Sequence, residues 1–159
     1  MPEKGFTLAE LVIVIVIVGI IAGIGAPFIS TILDAWLFNK DERDLVFSAR
    51  LTMNRMVREI RQIKDVSSIV TFTADEFKFT HINNSSVDFK QSGNVLLFNS
   101  DELTNKLQNP GGLHFDYLKE DSINETTIKS EIRMVRITLT LVSGDNSMAL
   151  ESLARFRNI

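Results

Sequence analysis

One carboxylate in this chain stands where a carboxylate is hardest to keep. Glu10 lies at the lip of an apolar run, Leu11 to Phe28, in which 18 residues pass without a charge. In front of it are Lys4 and Gly5. At ~1.5 Å rise per residue the run makes about 27 Å of helix, close to the hydrocarbon thickness of a bilayer. An acidic group at the start of a membrane helix is costly unless something neutralises it, which marks Glu10 as a functional residue.

Other chemistry is sparse. The chain has no cysteine, so it has no disulfide, thiolate metal site or cysteine nucleophile. His81 and His114 are far apart in strand-like runs and read as surface or edge histidines, not as a metal or catalytic pair. Ser85, Ser86 and Asp88 look like turn residues without a nucleophile motif. Asp116, Glu120, Asp121 and Glu125 are scattered through a polar stretch and read as a solvated loop, not a calcium site. No metal, no cofactor and no enzymatic activity are expected. The net charge of −3 and a pI near 5.4 give no strong basic field.

The elements that must position Glu10 follow from periodicity. After Pro27 the helical pattern continues through Ile29, Ile32, Leu33, Trp36 and Leu37. Lys40-Asp-Glu-Arg-Asp44 is a charged turn of helix or a short break. Beyond it, Val46, Ala49, Met53, Met56, Val57, Ile60 and Ile63 follow the spacing of one helix face. Arg50, Arg55, Arg58, Arg61 and Lys64 lie opposite. That basic face is solvated, or meets neighbouring subunits or acidic partners; nucleic acid is the weakest of its readings, given the acidic total. One helix is expected from about Phe6 to about Lys64, apolar all round in its first half and amphipathic in its second. Pro27 removes the backbone bond to the carbonyl of Gly23 and predicts a kink, next to Gly19, Gly23 and Gly25. Gly19-x-x-x-Gly23 is also compatible with close helix packing.

From Val66 the period changes to two. Ser67–Thr73, Glu76–Ile82, Val87–Gln91, Val95–Phe98 and Leu113–Lys119 read as short strands. Asn109-Pro-Gly-Gly112 is the strongest turn signal. Arg133–Val142, with Val135, Ile137, Leu139 and Leu141 inward, is the clearest strand, and Met148–Phe156 the last. Their apolar faces need the stripe Val46 to Ile63 as partner. The fold class expected is α+β, a long N-terminal helix packed on an antiparallel sheet. The domain boundaries expected are residues 6–28 for the membrane half, 29–65 for the amphipathic half and 66–159 for the sheet domain.

On composition alone the N-terminus fits a secretory signal, cleaved near Ala22-Gly23 or Gly25-Ala26, or a plain signal anchor. Its apolar run is longer than a usual signal core. Lys4 keeps the short end cytoplasmic and exports the bulk. Trp36 then reads as an interfacial aromatic on the exported side, or as a subunit contact.

Lys4-Gly-Phe-Thr-Leu-Ala-Glu10 with its apolar run resembles the processing site of type IV prepilins and type II secretion pseudopilins. The resemblance implies a leader of residues 1–5, cut between Gly5 and Phe6 by a prepilin peptidase that also methylates the Phe6 amine. Glu10 becomes the fifth mature residue, and Pro27 stands where a proline recurs in the family. The chain is then substrate and building block, not enzyme. Arg55-Met-Val-Arg-Glu-Ile-Arg61, Leu113-His-Phe-Asp-Tyr117 and Arg133-x-x-Arg136-Ile-Thr-Leu139 look like minor pilins and J-type minor pseudopilins. The chain departs from disulfide-closed major pilins in lacking cysteine, and from major pseudopilins in lacking a compact acidic calcium loop.

The implied roles are physically coherent. Cutting before the apolar run keeps the helix and frees a cationic amine on Phe6, about 6 Å along the axis from Glu10. In a staggered filament the amine of one subunit meets Glu10 of its neighbour. At an effective dielectric of ~20 and 4 Å, the pair gains about 4 kcal/mol before desolvation, enough to offset the cost of a carboxylate in a bilayer. Glu10 would therefore set register. The implied partners are prepilin peptidase, other pilin or pseudopilin subunits, the inner-membrane assembly platform and the membrane itself. The implied location is the inner membrane, single-pass, with a periplasmic domain that ends at a filament tip. A minor pilin of a type IV pilus or competence system, and an unrelated signal-anchored periplasmic domain, are the rival readings.

Overall fold

The computed structural model describes Gly5 and residues 7–157. The Phe6 amine and most of the leader lie outside the described residues. One helix, α1, runs from Leu8 to Ile60. The chain divides into two compact units at Asp41/Glu42, and α1 contributes to both.

In the first unit every described side chain of α1 is exposed. Leu11, Ile15, Val18 and Phe28 are between 56% and 69% accessible, levels that no water-soluble helix keeps on all faces at once. By length and composition this half is able to span a membrane. Pro27 lies inside the helix. Its carbonyl accepts hydrogen bonds from the hydroxyls of Ser30 (2.8 Å) and Thr31 (3.0 Å). Such back-bonding slightly weakens a helix, and here it falls beside the proline.

In the second unit the helix is amphipathic, as its period predicts, but its buried stripe starts one residue earlier than expected. Leu45, Ala49, Thr52, Met53, Met56 and Ile60 are buried, while Val46 and Val57 are half-buried. The helix ends at Ile60, short of Lys64. A turn closed by Ile63 N–H to Ile60 C=O (3.2 Å) leads Ile63 into a bridge with His81. Asp65 then caps a short 3-10 turn, Val66–Ser68, accepting from the Ser68 N–H at 2.8 Å.

The strands form two antiparallel sheets where one was expected. β1 (Ile69–Phe72), β2 (Glu76–Thr80), β3 (Ser86–Ser92), β4 (Val95–Phe98) and β5 (Asp101–Thr104) make a meander in sequence order. β6 (Leu113–Leu118), β7 (Met134–Ser143) and β8 (Asn146–Arg155) make the second sheet, ordered β6-β7-β8. The two share one core with the helix stripe. Phe77, Phe79 and Phe89 from the first sheet and Val135, Ile137, Leu139 and Leu141 from the second are fully buried in it. The inward set expected for the clearest strand is the observed one.

The sheets are also joined by hydrogen bonds. The Phe115 N–H donates to the Ala74 carbonyl (2.8 Å), and the Tyr117 hydroxyl to the Thr73 carbonyl (2.8 Å). Gln91 on β3 accepts from the Leu113 N–H (2.9 Å) and donates to the Gln108 carbonyl (2.9 Å). The Asn109-Pro-Gly-Gly turn needs both glycines. Gly111 has φ +80°, and a Cβ on Gly112 would sit 2.4 Å from the Gln108 carbonyl oxygen.

Candidate processing and assembly site at the helix N-terminus

Thr7 immediately precedes α1 and Glu10 is its third residue. The Thr7 N–H donates to Glu10 Oε2 at 2.9 Å, and the Thr7 hydroxyl donates to the same oxygen at 2.9 Å. The Glu10 N–H returns a bond to the Thr7 hydroxyl oxygen at 3.3 Å. This is a capping box, in which two donors orphaned at a helix start are satisfied reciprocally. The Leu11 N–H then donates to the Thr7 carbonyl (3.2 Å) and begins the regular ladder.

The arrangement answers part of the cost assigned to Glu10. Oε2 carries two hydrogen bonds, and the charge sits at the positive end of the helix dipole. The second oxygen, Oε1, accepts no hydrogen bond among the described residues and is available to an external cation. The cap draws the carboxylate back over the first turn, toward residue 7 and the chain's N-terminal side. The signal was present in the sequence: Thr-x-x-Glu before an apolar run is the capping-box spacing.

Of the residues expected to act, Glu10 and Pro27 lie 17 positions apart on the same helix. Gly5 precedes the helix, with open space where a side chain would stand. Phe6, the residue expected to carry the new amine and its methyl group, lies outside the described residues.

The other candidates do not assemble. Among the described residues no three His, Cys, Asp or Glu side chains are placed to hold a metal ion. Asp121 is occupied locally, accepting from the N–H groups of Asn124 (3.0 Å) and Ile123 (3.1 Å) and from the Asn124 amide. The bond from the Asn124 N–H leads these in holding its carboxyl below the usual range. His114 is exposed beside Asp116 (3.0 Å). His81 is neither at the surface nor at a free edge, the two places expected of it. It is buried at the end of β2, its Nε2 3.7 Å from Glu59, because the bridge to Ile63 folds it against the last turn of α1. Glu59 also engages Arg55 (3.2 Å) and Arg58 (3.7 Å), which discharges part of the basic face.

Residues 1–26 match the prokaryotic N-terminal methylation motif. No curated protein and no solved structure matches the chain. The matched motif, the long apolar N-terminal helix and the antiparallel sheets are together those of a type IV pilin-like protein. The motif implies processing by prepilin peptidase and assembly with other pilins, and the helix fits an inner-membrane anchor.

Proposed function

From a type IV pilin-like chain as premise, we propose a structural subunit of a type IV filament system, most like the J-type minor pseudopilins of type II protein secretion. Prepilin peptidase cuts between Gly5 and Phe6 and methylates the Phe6 amine. The apolar half of α1 lodges in the inner membrane until the assembly platform moves it into a filament, at or near its tip. There Glu10 sets register through the amine of a neighbouring subunit. Pro27 and the glycines before it give the helix a weak point for that transfer, and the sheet domain stays on the periplasmic side.

One observation carries this reading. The motif matched over residues 1–26 includes the start of a helix whose apolar side chains are exposed on every face among the described residues of the first unit. A helix in that state requires either lipid or other helices, and a filament core supplies the second. The minor-subunit assignment is supported by the arginine-rich last turns of α1 and by the sequence of β6 after its Pro-Gly-Gly turn.

The test is the mature N-terminus in cells of the native host. Mass spectrometry is expected to find a chain beginning at Phe6 and heavier by one methyl group. A mature chain beginning at Met1, or after Gly25, overturns the proposal.

A further inference from the structure

β8 is the outermost strand of its sheet, and all ten of its residues pair with β7 in unbroken register. The Phe156 N–H donates to the Arg133 carbonyl (3.2 Å), which continues the ladder and fixes its phase. Positions 146, 148, 150, 152 and 154 therefore bond to β7. Ser147, Ala149, Glu151, Leu153 and Arg155 turn their N–H and C=O groups outward. These outward groups bond to no other element among the described residues, and all five residues are exposed. The next outward N–H, that of Arg157, is taken by the Arg61 carbonyl (3.2 Å), so the open edge stops there.

Natural edges of this length are usually blunted by proline, a bulge or several charges. β8 has no proline, no register shift, one glutamate and one arginine.

The edge ends in a cleft lined by four arginines. Arg58 lies in the last turn of α1 and Arg61 just beyond it, Arg155 ends β8 and Arg157 follows it, and Val57 and Phe156 supply apolar wall. Arg58 lies 3.7 Å from Glu59, and Arg155 pairs with Glu120. Arg61 and Arg157 have no ion pair among the described residues. In a chain of net charge −3 this is a local concentration of unspent positive charge.

We propose that the β8 edge and the arginine cleft form one docking site for an extended polypeptide segment carrying carboxylates at the end that lies beside Arg155. The backbone edge supplies the row of hydrogen bonds, as in strand addition, and the guanidinium groups read the acidic end. The row of outward N–H and C=O groups favours a polypeptide over a nucleic acid. Only a peptide backbone presents matching donors and acceptors at every second residue, about 6.8 Å apart at a rise of ~3.4 Å per residue. This site is separate from the N-terminal chemistry. It stands or falls whatever the mature N-terminus proves to be.

The test uses the full chain in detergent micelles and a fluorescent ten-residue Thr/Val peptide with two aspartates at each end. The acidic peptide is expected to bind at least about tenfold more tightly than the same peptide ended by lysines. Binding should slow hydrogen exchange at the amides of Ser147, Ala149, Glu151 and Leu153. Arg61→Glu with Arg157→Glu should remove the preference for the acidic peptide. Ala149→Pro replaces an outward N–H, leaves the β7 ladder intact and should abolish binding of both peptides. The proposal is overturned if the acidic peptide does not bind, if binding leaves the β8 amides exchanging as before, or if Ala149→Pro binds like the unaltered chain. Tighter binding of a ten-nucleotide single-stranded DNA than of the acidic peptide also overturns it.

Discussion

Glu10 receives two hydrogen bonds from Thr7, three residues before it, and returns one through its own amide. The carboxylate is thus a helix cap before it is anything else. This changes the balance drawn from the sequence, where an external cation had to meet its whole cost. With one oxygen satisfied by Thr7, the cation proposed to pair with Glu10 need only meet the other. The cap also fixes the direction in which that free oxygen is offered.

Thr7→Ala should therefore weaken the start of α1 without touching the charge. Loss of an N-cap hydroxyl costs about 1 kcal/mol, or roughly a fivefold increase in local opening. Hydrogen exchange at the Glu10 and Leu11 amides in micelles measures it, and Thr7→Ser should restore the slow rates. Equal exchange in Thr7→Ala and the unaltered chain would show that the cap is not formed in the apolar medium.

Glutamine at position 10 separates the capping role of the carboxylate from the register role proposed for it. Its amide oxygen can still close the capping box, but it carries no charge to pair with a neighbour's amine. Glu10→Gln is expected to keep the slow exchange of the first turn and the cut after Gly5, yet to be missing from sheared filaments, as Glu10→Ala should be. Filament incorporation of Glu10→Gln at the level of the unaltered chain would leave Glu10 as a cap and remove it as the register mark.

What the sequence concealed has identifiable causes. β7 was readable because four inward aliphatic residues alternate without interruption. β5 was not, because Asp-Glu-Leu-Thr shows one apolar residue and the residue it buries is Thr104, whose hydroxyl lies 3.4 Å from that of Ser48 on the helix. Only the start of the helix stripe was misplaced, by one residue and for a similar reason, since Ala49, Met53, Met56, Ile60 and Ile63 are buried as expected. Its true phase passes through Thr52, a polar type, so Leu45 lost to Val46 in a pattern built from apolar residues alone. His81 gave no sign of burial, since the bridge to Ile63 and the approach of Glu59 both depend on chain reversal. The arginine cleft was half visible. Arg58 and Arg61 lay on a recognised basic face, but only the fold brings Arg155 and Arg157 to them from the far end of the chain.

The Pro-Gly-Gly turn offers a direct check on how β6 is placed. A methyl group on Gly112 would meet the backbone oxygen (2.4 Å) and nitrogen (2.7 Å) of Gln108 and the Thr140 carbonyl oxygen (3.0 Å). None of these is a flexible side-chain end, so the strands must move apart. Gly112→Ala should lose about 1–3 kcal/mol, the usual range for overpacking. Gly111→Ala meets open space and suffers only from its left-handed φ, about 1 kcal/mol. Hydrogen exchange of the Leu139 and Leu141 amides under urea gives both values. Equal losses in the two variants would mean that the close approach at Gly112 is not present in solution.

Tyr117 is the chain's one tyrosine, so its phenol can be titrated without interference. Its ring packs edge-on to Phe72, with centroids 5.5 Å apart, and its hydroxyl donates to the Thr73 carbonyl. Burial, and then the charges of Asp75, Asp116 and Glu76, push its pKa well above the ordinary value of 10.0. The folded state keeps the proton where the unfolded state has lost it. The stabilisation is complete below about pH 10 and falls as pH rises past that point, because the unfolded state then binds fewer protons. The native protein at about pH 11 should show no phenolate absorbance in the near ultraviolet, and the signal should appear together with unfolding. Tyr117→Phe should cost about 1 kcal/mol at neutral pH through loss of the hydroxyl's bond. Above pH 10 its stability should fall less steeply than that of the unaltered chain. A phenolate signal that rises near pH 10 while the sheets remain folded would show that Tyr117 is solvated and that the contact joining the two sheets through Thr73 is absent.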